Sequence, residues 1–104
     1  MNDRILSLLG LARRAGKLSM GFDASCESAA KGESALVLTT NDISEGSLRR
    51  LQSSVGGSAD MIGLGCDMQQ LGAAIGKSVR MVSVNDEGFA KKLRSLLTET
   101  DETG

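Results

Sequence analysis

The chain has 104 residues, 40% of them hydrophobic, with no histidine and no proline. That length supports one domain with one real core. Twelve basic and thirteen acidic residues leave a formal net charge of −1, so the strongly basic footprint of many nucleic-acid binders is absent.

In chain order, the first element is a helix over about Asn2 to Ala15. Ile5, Leu8, Leu9 and Ala12 recur at i, i+3, i+4 and i+7, a buried face. Leu6 and Leu11 widen that face, so the helix is expected to be covered on more than one side. Arg4, Arg13 and Arg14 take its polar side, and Gly16 stands where a helix ends. Lys17 to Met20 has room only for a brief strand. A second helix is expected over Phe22 to Lys31, with Phe22, Cys26, Ala29 and Ala30 as its apolar stripe and Asp23 as its cap. Cys26 fits there as a small core residue.

Ala35 to Thr40 is a continuous apolar run of strand length, the pattern of a central strand covered on both faces. Asp42 and Glu45 have the spacing of a capping box for a third helix over Glu45 to Val55. Leu48, Leu51 and Val55 point inward from it; Arg49 and Arg50 point out. A second long strand is expected over Ala59 to Leu64, weakened by Gly63. Asp67 and Gln70 form another capping box, for a short helix over Met68 to Ile75. Val79 to Val84 reads as a strand. Asn85 or Asp86 caps a last helix over Glu87 to Leu97, with Phe89, Leu93, Leu96 and Leu97 inward. Lys91, Lys92 and Arg94 read as its solvated face. Residues 1–98 form the domain; residues 99–104 are a polar acidic tail expected to fray. Without Glu99, Asp101 and Glu102 the domain holds 12 basic and 13 − 3 = 10 acidic residues, a formal +2, which permits a local basic patch. Alternating helices and short apolar strands give an α/β fold: a three-layer α/β/α sandwich around a mixed sheet of about four strands.

Several motifs imitate chemistry without supporting it. Gly72 to Ser78 resembles a phosphate-binding loop but has three residues between its glycines instead of four, and a strand follows it instead of a helix. Gly63-Leu64-Gly65 hints at a dinucleotide site, yet Met68 occupies the third glycine's place. Serines lack a histidine to act as base. Cys26 and Cys66 are forty positions apart and have no histidine to complete a metal site. The chain is therefore read as noncatalytic and free of cofactor. Its N-terminus leads into an amphipathic segment instead of a signal sequence, and no apolar run approaches the ~20 residues of a membrane span. A cytoplasmic location follows as the default. Phe22 and Phe89 are the only aromatics, too few for a single-strand stacking platform.

One stretch does carry a binding signal. Gly16 to Glu27 runs from a helix end through a glycine turn at Gly21 into a second helix. Such a turn presents free backbone N–H groups and the positive end of a helix dipole, which suit phosphate. Arg13, Arg14 and Lys17 lie just upstream.

Four strings, Leu9 to Leu18, Ala35 to Asp42, Leu71 to Lys77 and Gly88 to Leu93, together resemble the ribosomal L-seven-Ae / L-thirty-e family of RNA-binding proteins, most closely its small bacterial YlxQ-like branch. The resemblance implies the α/β/α sandwich and binding of structured RNA, ribosomal RNA or another kinked stem, with no membrane or DNA partner expected. It implies contacts from Gly21, Phe22, Asp23 and Glu27 at the start of the second helix. It implies others from Gly76, Lys77, Ser78 and Arg80 before the last strand, with Arg14 and Lys17 beside them. Kink-turn binders of the family carry Gly-x-Asn-Glu-x-x-Lys at the helix start. Here the corresponding residues are Gly21, Asp23, Ala24 and Glu27, so only the glycine is kept. Asp23 accepts but cannot donate as an amide does, and Glu27 repels phosphate where a lysine would attract it. The competing reading is a protein-interaction or scaffold domain that kept the fold and lost the RNA site.

Overall fold

The computed structural model describes residues 3–103, with side chains for residues 3–98. The elements follow in the order α1 (Asp3–Arg14), β1 (Leu18–Met20), α2 (Phe22–Ala30), β2 (Leu36–Thr39), α3 (Glu45–Val55), β3 (Asp60–Gly63), α4 (Met68–Ile75), β4 (Met81–Val84) and α5 (Glu87–Thr103). The four strands form one mixed sheet in the order β1-β4-β2-β3. β4 is antiparallel to both β1 and β2, and β2 and β3 are parallel.

Side chains alternate across a strand, and the two faces of the sheet sort accordingly. Leu36, Leu38, Val82 and Val84 face a core with Ile5 and Leu9 of α1, Leu71 and Ile75 of α4, and Leu93, Leu96 and Leu97 of α5. Val37 and Met81 face a smaller core with Ala29 of α2 and Leu51 and Val55 of α3. Helices therefore cover both faces, and the α/β/α sandwich expected from the sequence is the fold. β2 and β4 are buried along their whole length, as their continuous apolar character requires.

Local signals set most of the boundaries. Ala12 O and Arg13 O accept the N–H groups of Lys17 and Gly16 and end α1 in a Schellman arrangement. The Asp67–Gln70 capping box opens α4 with both reciprocal bonds present. Asp86 is the cap of α5, its carboxylate accepting from Phe89 N–H at 2.9 Å.

Four expectations are corrected. Ser44, not Asp42, caps α3, accepting from Ser47 N–H at 3.1 Å; Asp42 is committed elsewhere, to Thr40 and Met68. Leu11 is 52% exposed, because α1 is covered by the sheet, α4 and α5 and its outer side faces solvent. On α2 it is Ser25 and Ser28 that are buried and Ala30 that is exposed, since the inner side of that helix meets Ser19 of β1 and Asn85, just past β4. α5 runs on to Thr103, past the end expected at Leu97; Gly104 lies outside the described residues.

Candidate functional site

β1 ends at Met20, and Gly21 occupies the N-cap of α2 with φ 97° and ψ 172°. This conformation is open to glycine and strained for other residues. Gly21 N–H donates to Met81 O and Gly21 O accepts from Ser25 N–H, both at 3.0 Å. The turn is thereby tied to the first residue of β4 while it starts the helix. No side chain caps α2. Asp23, expected as the cap, lies exposed inside the first helical turn, because Gly21 already holds the cap position. The first N–H groups of α2 thus have no side-chain acceptor.

The second loop arrives from α4. Gly76 closes that helix in the left-handed conformation, with φ 79° and its N–H donating to Gly72 O at 2.7 Å. A Cβ at Gly72 would lie 3.4 Å from Lys77 O and Ser78 Cα, so the loop folds tightly back on α4. Val79 Cγ1 sits 3.6 Å from where a Cβ on Gly21 would be. The Gly21–Phe22 turn and the Gly76–Arg80 loop therefore meet beside the start of β4. Of the residues expected at the site, Gly21 is the one in direct reach of the second loop, through Val79; Phe22 and Asp23 follow it on α2, and Gly76, Lys77, Ser78 and Arg80 flank Val79 in the chain. Lys77, Ser78 and Arg80 are exposed.

Two arginines lie against these loops: Arg13, which the sequence already places upstream of the turn, and Arg50, expected only to point out from its helix. Arg13 Cζ lies 3.9 Å from the position of a Cβ on Gly76. Arg50 of α3 places its guanidinium over the Phe22 ring, 4.7 Å from the centroid. For Arg13 the signal was present in its position one residue before Arg14. For Arg50 there was none, because residues 22 and 50 meet only through the packing of α2 on α3.

Arg80 points towards the β2–α3 connection, its Nε 3.8 Å from Asp42 Oδ1. Asp42 also accepts from Thr40 Oγ1 at 2.7 Å and from Met68 N–H at 3.1 Å. The Thr40 hydroxyl above all holds the Asp42 carboxyl below the usual aspartate range against burial, the next largest effect, with the Met68 amide and the Arg80 charge adding smaller help. Glu27 is engaged by Lys31 at 2.8 Å one turn along α2. That hydrogen bond and charge lower the Glu27 carboxyl and raise the Lys31 ammonium.

Arg14 and Lys17 fall at the other end of β1. Lys17 precedes the strand and its O accepts from Asn85 N–H at 2.8 Å. Four residues of strand put it roughly 13 Å from Gly21 along the chain. That end is built from a polar network under the C-terminal half of α2. Asn85 Nδ2 donates to Ser19 Oγ at 2.8 Å and to Ser28 Oγ at 3.3 Å. Ser83 Oγ lies 2.6 Å from Asn85 Oδ1 and 2.7 Å from Ser34 Oγ. Ser83 has one proton; when it goes to Asn85, Ser34 supplies the other bond. Among the described residues no cluster of three or more histidine, cysteine, aspartate or glutamate side chains could hold a metal, and no helix is long and apolar enough to cross a membrane. Cys66 is buried, and burial, seconded by Asp67, pushes its thiol up.

A three-layer sandwich with two glycine-based loops meeting at the start of β4 can be compared with known proteins. No family model matches the chain. The RNA-binding protein YlxQ of Bacillus subtilis (strain 168) is 36% identical over 91 residues, covering 86% of this chain and 91% of that one. A Bacillus halodurans protein of unknown function has the same fold, with a TM-score of 0.84 and 33% identity over 93% of this chain and 99% of that one. The Giardia lamblia 15.5kD RNA binding protein superposes with a TM-score of 0.70 at 13% identity, over 98% of this chain and 92% of its own, a likeness of fold. The chain belongs to the YlxQ family.

Proposed function

We propose that this protein is a noncatalytic RNA-binding module that grips structured RNA with the Gly21 turn and the Gly76–Arg80 loop. The observation that carries this reading is the meeting of the two loops beside the start of β4. Around them Arg13, Arg50 and Lys77 have no carboxylate within ion-pair distance among the described residues. The α2 helix start offers uncapped N–H groups beside them, an arrangement that suits phosphate oxygens. The B. subtilis relative, 36% identical, is itself named an RNA-binding protein. The RNA we have in view is ribosomal RNA or another kinked stem in the cytoplasm, met by a signature that has departed from the kink-turn pattern.

The test is a mobility shift with ribosomal RNA at low salt, followed by crosslinking in cells and sequencing of the bound RNA. With three to four phosphate contacts, log K falls with log salt at a slope of about −3. A protein that shifts no RNA at low salt is a scaffold domain instead. The kink-turn part is tested separately by the combined substitution Asp23→Asn, Ala24→Glu and Glu27→Lys. It is expected to bind a kink-turn duplex more tightly than the parent and to gain nothing on the same duplex without its bulge. Glu27→Lys also places two ammonium groups at i and i+4 with Lys31, so the gain is expected to grow when Lys31→Ala is added. Equal affinities of the triple variant and the parent for the bulged duplex would separate this protein from kink-turn recognition.

A further inference from the structure

We infer that Arg50 and Phe22 form one recognition unit that takes the base of an unpaired nucleotide beside the Gly21 turn, an inference that rests on the RNA-binding reading of that turn. A phosphate contact needs only a mobile cation. Arg50 is instead seated: its guanidinium carbon is 4.7 Å from the Phe22 centroid. Phe22 is the first residue of α2 and packs partly into the α2/α3 core, so its ring is a fixed shelf. The guanidinium is planar, and a plane held on a shelf presents its remaining face and edge in a fixed direction.

Arg49, the neighbour on α3, lies 4.0 Å from Glu45 on its own helix. Arg50 has no such carboxylate among the described residues and is exposed. Its five N–H donors and its outer face are thus unassigned within the fold. Val79 packs against the larger core while Phe22 packs against the smaller one, and Val79 Cγ1 lies 3.6 Å from where a Cβ on Gly21 would be. The turn is therefore bordered by an apolar side chain on one side and by an arginine–aromatic pair on the other. Stacking on an arginine plane requires an accessible base face, which a paired stem hides and a bulge or loop exposes. A single such unit fits the shortage of aromatics, because the second stacking partner is the guanidinium and not another ring.

The experiment titrates the full chain against an RNA stem interrupted by a bulge of unpaired adenosines and against the same stem fully paired, at one salt concentration. The variants are Arg50→Lys, which keeps the charge and loses the plane, and Phe22→Leu, which keeps an apolar side chain and loses the shelf. Each is expected to lower affinity for the bulged stem about five- to fifty-fold and to leave affinity for the paired stem within about twofold. Thermal melting of each variant confirms that the domain is intact, and Arg50→Lys carries the test if Phe22→Leu is unstable. If the parent binds the bulged stem and Arg50→Lys binds it equally well, Arg50 acts only as a charge and the inference is overturned while the RNA-binding reading stands. If the parent binds neither stem, both fall.

Discussion

The two ends of α2 are built on opposite terms. At its C-terminal half the polar groups answer one another: Asn85, Ser19, Ser28, Ser34 and Ser83 form a closed network, and Glu27 is held by Lys31. At its N-terminus the cap is a glycine without a side chain, and Arg50, seated over Phe22, has no carboxylate in ion-pair reach among the described residues. The same helix thus has one end that completes the fold and one end whose donors remain available. Buried polar groups must be paired inside the protein, whereas exposed donors at a helix start can wait for a ligand. The contrast separates changes that unfold the domain from changes that weaken binding.

The largest expected effect lies at the satisfied end. Asn85→Ala removes the acceptor of Ser83 and the donor to Ser19 and Ser28, and should lower unfolding free energy by about 3 kcal/mol. Chemical denaturation checks this, and RNA affinity of the folded fraction should be unchanged. Gly21→Ala is expected to cost about 1–2 kcal/mol by forcing a Cβ into a conformation suited to glycine. The new Cβ would stand 3.6 Å from Val79 Cγ1, an ordinary contact, so the cost is conformational. Here RNA affinity should fall as well, and unchanged affinity would place the binding surface elsewhere.

Lys77→Ala should leave the melting temperature within a degree or two and reduce the magnitude of the salt slope by about one. Arg80→Ala should do less at the same salt, since Arg80 lies beside Asp42 in the free protein. The paired control is Lys91→Ala with Lys92→Ala on α5; a larger loss there than at Lys77 would move the interface to α5. The smallest effect concerns acid. The Asp42 carboxyl is depressed in the folded protein, so the unfolded chain binds a proton more readily. Its stabilising contribution is full above the ordinary aspartate value near 4 and is lost as pH falls through the depressed value. Denaturation midpoints followed down from about pH 5 should fall less steeply in Asp42→Asn than in the parent. Glu27 is depressed too and supplies the same sign in both proteins.

Most of the fold was legible because it was written locally. The i, i+3, i+4 spacing of Ile5, Leu8 and Leu9 marked α1, the Asp67–Gln70 box marked the start of α4, and the unbroken apolar run around Leu36 to Leu38 marked a central strand. Local pattern misled where a side chain had a distant partner. Asp42 has the right spacing for a cap, yet its carboxylate bonds Met68, 26 positions away, and Ser44 takes the cap. Ser25 and Ser28 look like a solvated face until Ser19 of β1 and Asn85, just past β4, are placed beside them. The Gly21 turn and the Gly76–Arg80 loop could be named from glycine positions and the family resemblance. Their meeting through Val79, and the arrival of Arg50 at Phe22, depend on the sheet order and could not.

That order has a consequence for the growing chain on the ribosome. β4 is the last strand in sequence and stands between β1 and β2, so β1 has no strand beside it until Met81 to Val84 have been made. The parallel pair β2 and β3 can form earlier; the strand that carries the Gly21 turn cannot join them. Met81 O is also the acceptor that pins Gly21 N–H. A nascent or truncated chain lacking β4 therefore has neither the four-stranded sheet nor the Met81 contact that fixes the Gly21 turn.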